Sequence, residues 1–226
     1  MASETNSDVR IWNKESEKYS EKPIADPEAY ARTIARAREF LKPDASVVEL
    51  GCGTGGTAAQ LVGSVKSYLA TDFADGMIAI AQRRHPIDLN SSSSSSDQKK
   101  KLTFRVATAE SLVAENKKFD AVLAFNFFHL VRDLPATLRL VHGLLAPGGL
   151  LISKTPCMRE MKMGLLMKVM IPAAVAVGLA PSVRVFTAEE FRKQVLAAGF
   201  EIVVSEYHAA GEGDFRPFIV ARKVGQ

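Results

Sequence analysis

The chain has 226 residues, of which 47% are hydrophobic and 24% charged, and this balance excludes a mostly disordered protein. A chain of this length buries roughly 70% of the surface that it exposes when unfolded, so its core needs neither disulfides nor a structural metal. The formal net charge of +4 is too small to indicate nucleic-acid binding, and two cysteines, Cys52 and Cys157, are too few for a disulfide framework or a four-thiolate zinc site.

The N-terminal part of the chain predicts helices. Residues 1–10 are polar and lack the apolar stretch of a secretory signal, so we expect a cytoplasmic protein. The Asp26-Pro27-Glu28 sequence predicts a helix start, and apolar residues at helical spacing continue to residue 41. Before it, residues 11–19 contain Trp12 and Tyr19, which are consistent either with a helix packed on the core or with a lid over a ligand.

Strands and helices then alternate. The predicted strands are residues 46–50, 67–71, 102–106, 119–125, 150–154, 201–207 and 218–222, and the predicted helices are 55–62, 75–84, 134–145 and 187–198. The sequence Ala146-Pro147-Gly148-Gly149 predicts a turn after the third of these helices. This alternation predicts a doubly wound α/β fold, with a mostly parallel sheet covered by helices on both faces. The last two strands have no helix between them, so we expect an antiparallel last strand.

Two segments depart from the alternation. Residues 90–101 contain a run of serines and then three lysines, which predicts a flexible loop between a helix and a strand. Residues 158–186 contain five methionines and an uncharged stretch, 169–183, that is too short for the roughly 20 apolar residues of a membrane span. We expect this segment to be a helical cap over an apolar substrate site, or a helical pair that only closes the core.

A glycine-rich turn follows the first predicted strand and has the sequence Glu49-Leu50-Gly51-Cys52-Gly53-Thr54-Gly55-Gly56. Glycines let a ligand approach the backbone, and the next helix offers free N–H groups at its start. Gly51, Gly53 and Gly56 fit the dinucleotide-binding spacing G-x-G-x-x-G. Gly51, Gly53 and Gly55 instead fit the spacing E-x-G-x-G-x-G of methyltransferases. A tight turn without a ligand is the third interpretation that the glycines leave open.

Two acidic residues favour a nucleoside-bearing ligand. Glu49 stands where the first strand ends, in a position to meet an ammonium group. Asp72 ends the second strand, 21 residues after Gly51, close to the spacing of an acid that accepts hydrogen bonds from both ribose hydroxyls. The chain has no Tyr-x-x-x-Lys pair, which disfavours a short-chain dehydrogenase, and its four histidines lack metal-binding spacing.

Several blocks together resemble the class I S-adenosylmethionine-dependent methyltransferases, of the small-molecule type that includes quinone-biosynthesis enzymes. They are the glycine turn, Ala70-Thr71-Asp72-Phe73-Ala74-Asp75-Gly76-Met77, Ala107-Thr108-Ala109-Glu110-Ser111-Leu112, Phe119-Asp120-Ala121-Val122 and Leu144-Leu145-Ala146-Pro147-Gly148-Gly149. The resemblance covers residues 45–153 and implies a Rossmann-like, seven-stranded sheet with S-adenosylmethionine as the cofactor.

The resemblance also implies the cofactor-binding residues, which are Tyr19, Glu49, Gly51, Cys52, Gly53, Asp72, Phe73, Met77, Ala109, Glu110 and Asn126. Glu49 would hold the methionine part, Asp72 the ribose, and Ala109 with Glu110 would lie at the adenine. The family often has aspartate where this chain has Thr108, so the contact with the adenine amine is lost here or made by the Thr108 hydroxyl or by Glu110.

His129 is the catalytic candidate. It follows the fourth strand at the carboxyl edge of the sheet, where ligands bind in such folds. A base is needed only when the acceptor must lose a proton, so His129 would serve as a base or as a residue that positions the acceptor. His208 and Tyr207, after the sixth strand, are weaker candidates.

We therefore expect one methyltransferase domain over residues 1–226. Its parts are an N-terminal lid (1–41), a cofactor-binding core (45–155), a substrate cap (156–186) and the rest of the sheet (187–226). The expected reaction is methylation of a small, apolar or aromatic acceptor by a monomer or homodimer, without a metal or nucleic acid and with membrane-surface contact at most. The alternatives are a catalytically silent cofactor-binding subunit and a protein or nucleic-acid methyltransferase.

Overall fold

A computed structural model describes residues 6–86, 102–160, 175, 180–209 and 215–225. The predicted loop at residues 90–101 lies outside the described residues. So do residues 161–174 and 176–179, which hold most of the predicted methionine-rich cap.

The described residues form the predicted alternation of helices and strands. In chain order the elements are α1 (Asn6–Glu21), α2 (Pro27–Glu39), β1 (Ser46–Leu50), α3 (Gly56–Leu61), β2 (Ser67–Asp72), α4 (Asp75–Arg84), β3 (Leu102–Val106), α5 (Ala109–Ala114), β4 (Phe119–Phe125), α6 (Leu134–Leu144), β5 (Leu145–Lys154), α7 (Ala188–Ala197), β6 (Phe200–Glu206) and β7 (Phe218–Lys223).

The strands of the described chain form one seven-stranded sheet in the order β3-β2-β1-β4-β5-β7-β6. Strands β1 to β5 pair in parallel, whereas β7 is antiparallel to both β5 and β6. This is the predicted Rossmann-like α/β fold with its antiparallel last strand. Because the central strands are parallel, their carboxyl ends meet at one edge of the sheet.

Local sequence signals set the helix starts. The Asp26 carboxylate accepts a hydrogen bond from the Ala29 N–H at 2.8 Å, with Pro27 in the first helical position of α2. At the start of α7, the Thr187 hydroxyl accepts from the Glu190 N–H while the Glu190 carboxylate accepts from the Thr187 N–H.

One boundary prediction was wrong. The predicted turn at Ala146-Pro147-Gly148-Gly149 lies inside β5, which begins at Leu145 directly after α6. The pairing of β5 with β4 shifts register after Phe119, and Gly148 has a φ of 71°. An irregularity in the strand thus accommodates residues whose composition is typical of a turn.

The core has one apolar layer on each face of the sheet. Val48, Val122 and Leu151 pack with α5, α6 and α7, whereas their strand neighbours Leu123 and Ile152 pack with α2, α3 and α4. This burial on both faces accounts for the continuous apolar runs in β1 and β4. Within the described ranges, no helix is both long and apolar enough to cross a membrane.

Candidate functional site

The glycine turn after β1 requires a backbone that side chains rarely allow. Gly51, Gly53 and Gly55 have φ values of 67°, 53° and 81°. A Cβ atom on Gly51 would lie 2.8 Å from Cδ2 of Phe127, and one on Gly55 would lie 2.7 Å from Cε1 of Phe104. Aromatic rings therefore hold the turn from two sides.

Gly53 faces the N-terminal helix across a wider gap. A Cβ atom there would lie 3.9 Å from Cε1 of Tyr19, a residue that is 41% exposed. Helix α1 also packs on α4, because the Asn13 side-chain oxygen accepts a hydrogen bond from the Gly76 N–H at 3.0 Å. The two interpretations of this segment are thus compatible, since α1 packs on the core and also places Tyr19 over the glycine turn.

Asp72 fixes the glycine turn to the end of β2. Its carboxylate accepts hydrogen bonds from the Gly53 N–H at 3.0 Å and from the Ala74 N–H at 2.9 Å. Asp72 is only 8% exposed, and this burial raises its carboxyl pKa although the backbone N–H groups act in the opposite direction. The Phe73 N–H also acts on this carboxyl group, and because a carboxylate has about four acceptor positions, capacity for a ligand hydroxyl remains.

Glu49 is a carboxyl group enclosed in the sheet. It is 2% exposed, and the Tyr68 hydroxyl donates to its Oε2 atom at 2.8 Å. Burial raises the pKa of Glu49 to about 7, and the charge of Asp72 acts in the same direction. A cationic ligand group next to Glu49 would favour the charged carboxylate and lower this pKa.

A small pocket opens beside the turn at the same edge of the sheet. Its lining residues are Leu50, Gly51, Phe73, Ala107, Thr108, Ala109 and Phe127. The lining is mainly apolar, with the backbone of the glycine turn at one side. The Thr108 hydroxyl accepts from the Ser111 N–H at 3.3 Å and thereby caps α5, whose first turn contains Glu110.

Two further predicted residues are buried near the turn. Cys52 donates its N–H to the Thr71 carbonyl at 2.9 Å, and burial raises the pKa of its thiol far above the usual range, so the thiol is inert. Met77 is buried in the first turns of α4. Because the Cys52 thiol is inert, Cys52 would contact a ligand through its backbone.

The chain after β4 turns sharply towards His129. Asn126 has a φ of 51°, and its N–H donates to the Lys154 carbonyl at 2.7 Å. The His129 N–H donates to the Thr155 hydroxyl at 3.3 Å, and the His129 Nδ1 atom lies 3.3 Å from the same oxygen. Burial lowers the pKa of His129 to about 4, so the imidazole is neutral at physiological pH, can accept a hydrogen bond, and is a weaker base than an ordinary histidine.

The weaker candidates belong to a different set of contacts. His208 Nδ1 lies 2.8 Å from the Thr33 hydroxyl, and its Nε2 atom lies 3.0 Å from the Glu206 carboxylate. The Lys154 ammonium donates to the same Thr33 hydroxyl at 3.2 Å. This polar group joins α2 to the ends of β5 and β6, while Tyr207 is exposed.

Sequence reasoning missed Phe127, Tyr68 and Thr155. Phe127 follows Asn126 directly, so its place after a central strand was a usable signal. Tyr68 lies in the strand beside Glu49, and a buried tyrosine hydroxyl requires a polar partner. Thr155 gave no local signal, because its contact with His129 spans 26 residues.

The titration of Glu49 gives a testable prediction. With a pKa of about 7, the free protein holds about half a proton on Glu49 at neutral pH. An ammonium-bearing ligand lowers that pKa, so S-adenosylhomocysteine should release about half a proton on binding, more near pH 6 and almost none at pH 9. Calorimetry in buffers with different ionisation enthalpies measures this number.

The control for this experiment is a pair of substitutions. Glu49→Gln should abolish the proton release, whereas Glu28→Gln, at an exposed glutamate of α2, should leave it unchanged. Equal proton release by the protein with and without Glu49 would show that the ligand amine does not interact with this carboxyl group.

One comparison with known proteins shows the family of this chain. A family model described as a methyltransferase domain matches residues 24–205. The chain is 32% identical over 123 residues to the hybrid PKS-NRPS synthetase iliA of Neonectria sp., covering 50% of this chain and 3% of that protein. It is 31% identical over 111 residues to a malonyl-[acyl-carrier protein] O-methyltransferase of Bacillus cytotoxicus, covering 48% of this chain and 34% of that protein.

A solved structure has the same fold. Magnesium protoporphyrin IX methyltransferase from Synechocystis PCC 6803 with bound S-adenosylmethionine superposes with a TM-score of 0.68 at 14% identity, covering 99% of this chain and 100% of the other. The curated relatives match this chain over only a small part of their own length.

Proposed function

Because the chain belongs to the methyltransferase domain family, we propose that it is an S-adenosylmethionine-dependent methyltransferase that acts on a small, apolar or aromatic acceptor. The observation that carries the proposal is the position of His129 one turn after β4, between buried Phe128 and Val131. Phe128 and Val131 belong to the apolar core beside this segment, and burial keeps the His129 imidazole neutral by lowering its pKa, which favours an uncharged acceptor.

The cofactor roles follow the site geometry. Glu49 would hold the methionine ammonium, and Asp72 would accept hydrogen bonds from the ribose hydroxyls. The adenine would lie in the pocket between Phe73 and Ala109, and Tyr19 would cover the cofactor over Gly53. We assign the remaining predicted residues to the same site, and they are Gly51, Cys52, Met77, Glu110 and Asn126.

The cofactor supplies an activated methyl group on a sulfonium, and the chain's own residues align the acceptor for in-line displacement. Nδ1 of His129 lies against Thr155, so Nε2 is the ring nitrogen that would act on the acceptor. When the acceptor must lose a proton, the neutral His129 ring takes it, and Thr155 keeps the ring oriented.

The cofactor assignment predicts a large loss of affinity in Asp72→Ala. The substitution removes charge-assisted bonds to the ribose and also frees the Gly53 N–H, so binding of S-adenosylhomocysteine should weaken by about 1.5–3 kcal/mol, or about 10- to 150-fold. Isothermal titration calorimetry measures it, with Asp44→Ala as a control at an exposed aspartate before β1. Unchanged affinity in Asp72→Ala would contradict the assignment.

The relatives favour acyl thioesters as a second class of acceptor. Two relatives that are about 30% identical to this chain are the hybrid PKS-NRPS synthetase iliA and the malonyl-[acyl-carrier protein] O-methyltransferase. A panel of phenols, quinols, thiols and acyl thioesters, assayed for S-adenosylhomocysteine formation, separates these classes. No turnover with any member, together with tight cofactor binding, would favour the silent-subunit alternative.

Two broader assignments belong to the same proposal. We place the lid, core, cap and remaining sheet in one methyltransferase domain. We also place the protein in the cytoplasm, because Cys52 and Cys157 are both free and buried, as is usual in a reducing compartment.

A further inference from the structure

Asp8, in the first turn of α1, is a buried acid outside the cofactor contacts. It is 5% exposed, although helix α1 is polar over most of its length. Enclosing a carboxylate is costly unless hydrogen bonds and an opposite charge compensate for the lost water. The groups that bind the Asp8 carboxylate therefore identify the parts of the chain that it connects.

Those partners come from two distant parts of the chain. The Asp8 Oδ1 atom accepts a hydrogen bond from the Ser182 N–H at 2.9 Å, and Oδ2 lies 3.3 Å from the Ser182 hydroxyl. The Arg132 Nε–H donates to Oδ2 at 3.2 Å and forms an ion pair with it. We call the set of Asp8, Arg132 and Ser182 the Asp8 clamp.

Both partners of Asp8 flank the catalytic candidate. Arg132 comes three residues after His129 on the same loop. Ser182 comes two residues before Arg184, whose N–H donates to the His129 carbonyl at 2.6 Å. One carboxylate thus joins the N-terminal helix to the His129 loop, through Arg132, and to the segment around Ser182 that hydrogen-bonds to the His129 carbonyl.

We propose that Asp8 is a positioning residue for His129, because the Asp8 clamp closes α1 and residues 180–187 around the His129 loop and keeps water from its imidazole. This role rests on the proposed function, in which His129 acts on the acceptor. When the clamp is broken, the loop loses its covering segments while the glycine turn and Asp72 keep their own contacts.

Helix α1 also provides a matched control. Glu17, on the same helix, forms an ion pair with Arg83 of α4 at 3.0 Å, and its side chain is 65% exposed. Glu17→Gln therefore weakens the attachment of α1 without touching the clamp. If Asp8 acted only by fixing the helix to the protein, the two substitutions would affect His129 alike.

The experiment is a pH titration of the histidine ring nitrogens by NMR in full-length, ¹⁵N-labelled protein. The chain has four histidines, and His129→Gln identifies the signal of His129. In the wild type the His129 midpoint should lie near 4, because burial lowers its pKa from 6.5. In Asp8→Ala we expect this midpoint to rise by about one pH unit or more, since water reaches the ring.

The other variants set the limits of the test. Arg132→Gln should raise the His129 midpoint in the same direction, and it decides the matter if Asp8→Ala does not fold. Glu17→Gln should match the wild type, and the other three histidines should keep their midpoints throughout. An unchanged His129 midpoint in Arg132→Gln and in folded Asp8→Ala would overturn the proposal, as would an equal rise in Glu17→Gln.

The titration is independent of the proposed function. Binding of S-adenosylhomocysteine to the wild type tests the cofactor assignment by itself. If the protein does not bind S-adenosylhomocysteine but its His129 midpoint responds to Asp8, the role of the Asp8 clamp is supported and the proposed function is contradicted. A protein that binds S-adenosylhomocysteine but whose His129 midpoint does not respond to Asp8 would contradict only the role of the Asp8 clamp.

Discussion

His129→Ala should lower kcat by about 10²- to 10⁴-fold with an acceptor that must lose a proton, and it should leave the affinity for S-adenosylhomocysteine unchanged. The reason is that His129 lies after β4 with Nδ1 against Thr155, away from the contacts of Asp72 and Glu49. Steady-state kinetics on the acceptor found in the panel, together with calorimetry, separates the two effects.

The proposed role of His129 also predicts how the rate changes with pH. A base must be unprotonated, and His129 with a pKa of about 4 stays neutral down to mildly acidic pH. The rate of the wild type should therefore be flat around neutrality and fall only below about pH 5, whereas an ordinary histidine would lose activity near pH 6.5. The profile should be recorded as kcat/KM for the acceptor at saturating S-adenosylmethionine, because bound acceptor shifts the midpoint of kcat and because Glu49, with a pKa of about 7 in the free protein, titrates near neutrality when the cofactor is limiting.

Two substitutions test whether the effect belongs to the ring. Thr155→Val removes the hydroxyl that orients Nδ1, and it should lower kcat by a smaller factor of about 10. His142→Gln is the control, because the His142 ring packs against Phe200 and Gly199, which are not part of the His129 segment. An unchanged kcat in His129→Ala would show that the His129 ring takes no part in the reaction, and that alignment of the acceptor alone accounts for methyl transfer.

The sequence predicts the fold well where local signals and burial agree. The central strands are continuous apolar runs, so β1 and β4 begin and end where predicted. Asp26 and Thr187 cap their helices through contacts within three residues, which a sequence displays directly. The predicted start of β5 was wrong because Leu145 already pairs with Phe119 of β4, and the turn-forming Pro147 and Gly148 lie in an irregularity between this pair and the next, Ala121 with Leu150.

The site is less predictable because its contacts are long-range. Glu49 and Asp72 stand out by spacing, but the partner that holds Glu49, Tyr68, is 19 residues away. The contact of Asp8 with Ser182 spans 174 residues. No local pattern marks either pair, since only the sheet order and the packing of α1 bring these side chains together.

Gly55→Ala should lower the free energy of unfolding by about 2–4 kcal/mol, which combines a left-handed backbone with overpacking. Gly55 has a φ of 81°, and the new Cβ would lie 2.7 Å from Cε1 and 2.8 Å from Cζ of Phe104. Phe104 cannot move freely, because it is buried in the core layer that contains Ala81. Urea denaturation with an unchanged m-value measures the loss.

Gly148→Ala separates the two contributions. Gly148 also has a left-handed backbone, with a φ of 71°, but an added Cβ meets nothing within 4 Å. Its substitution should cost only the backbone term of about 1–2 kcal/mol. The remainder of the Gly55→Ala loss then measures the clash, and Phe104→Leu in the Gly55→Ala background should recover part of it as a coupling energy. Equal losses at the two glycines, without coupling to Phe104, would mean that the Phe104 ring does not hold the glycine turn, and that Phe127 and Asp72 fix its shape without it.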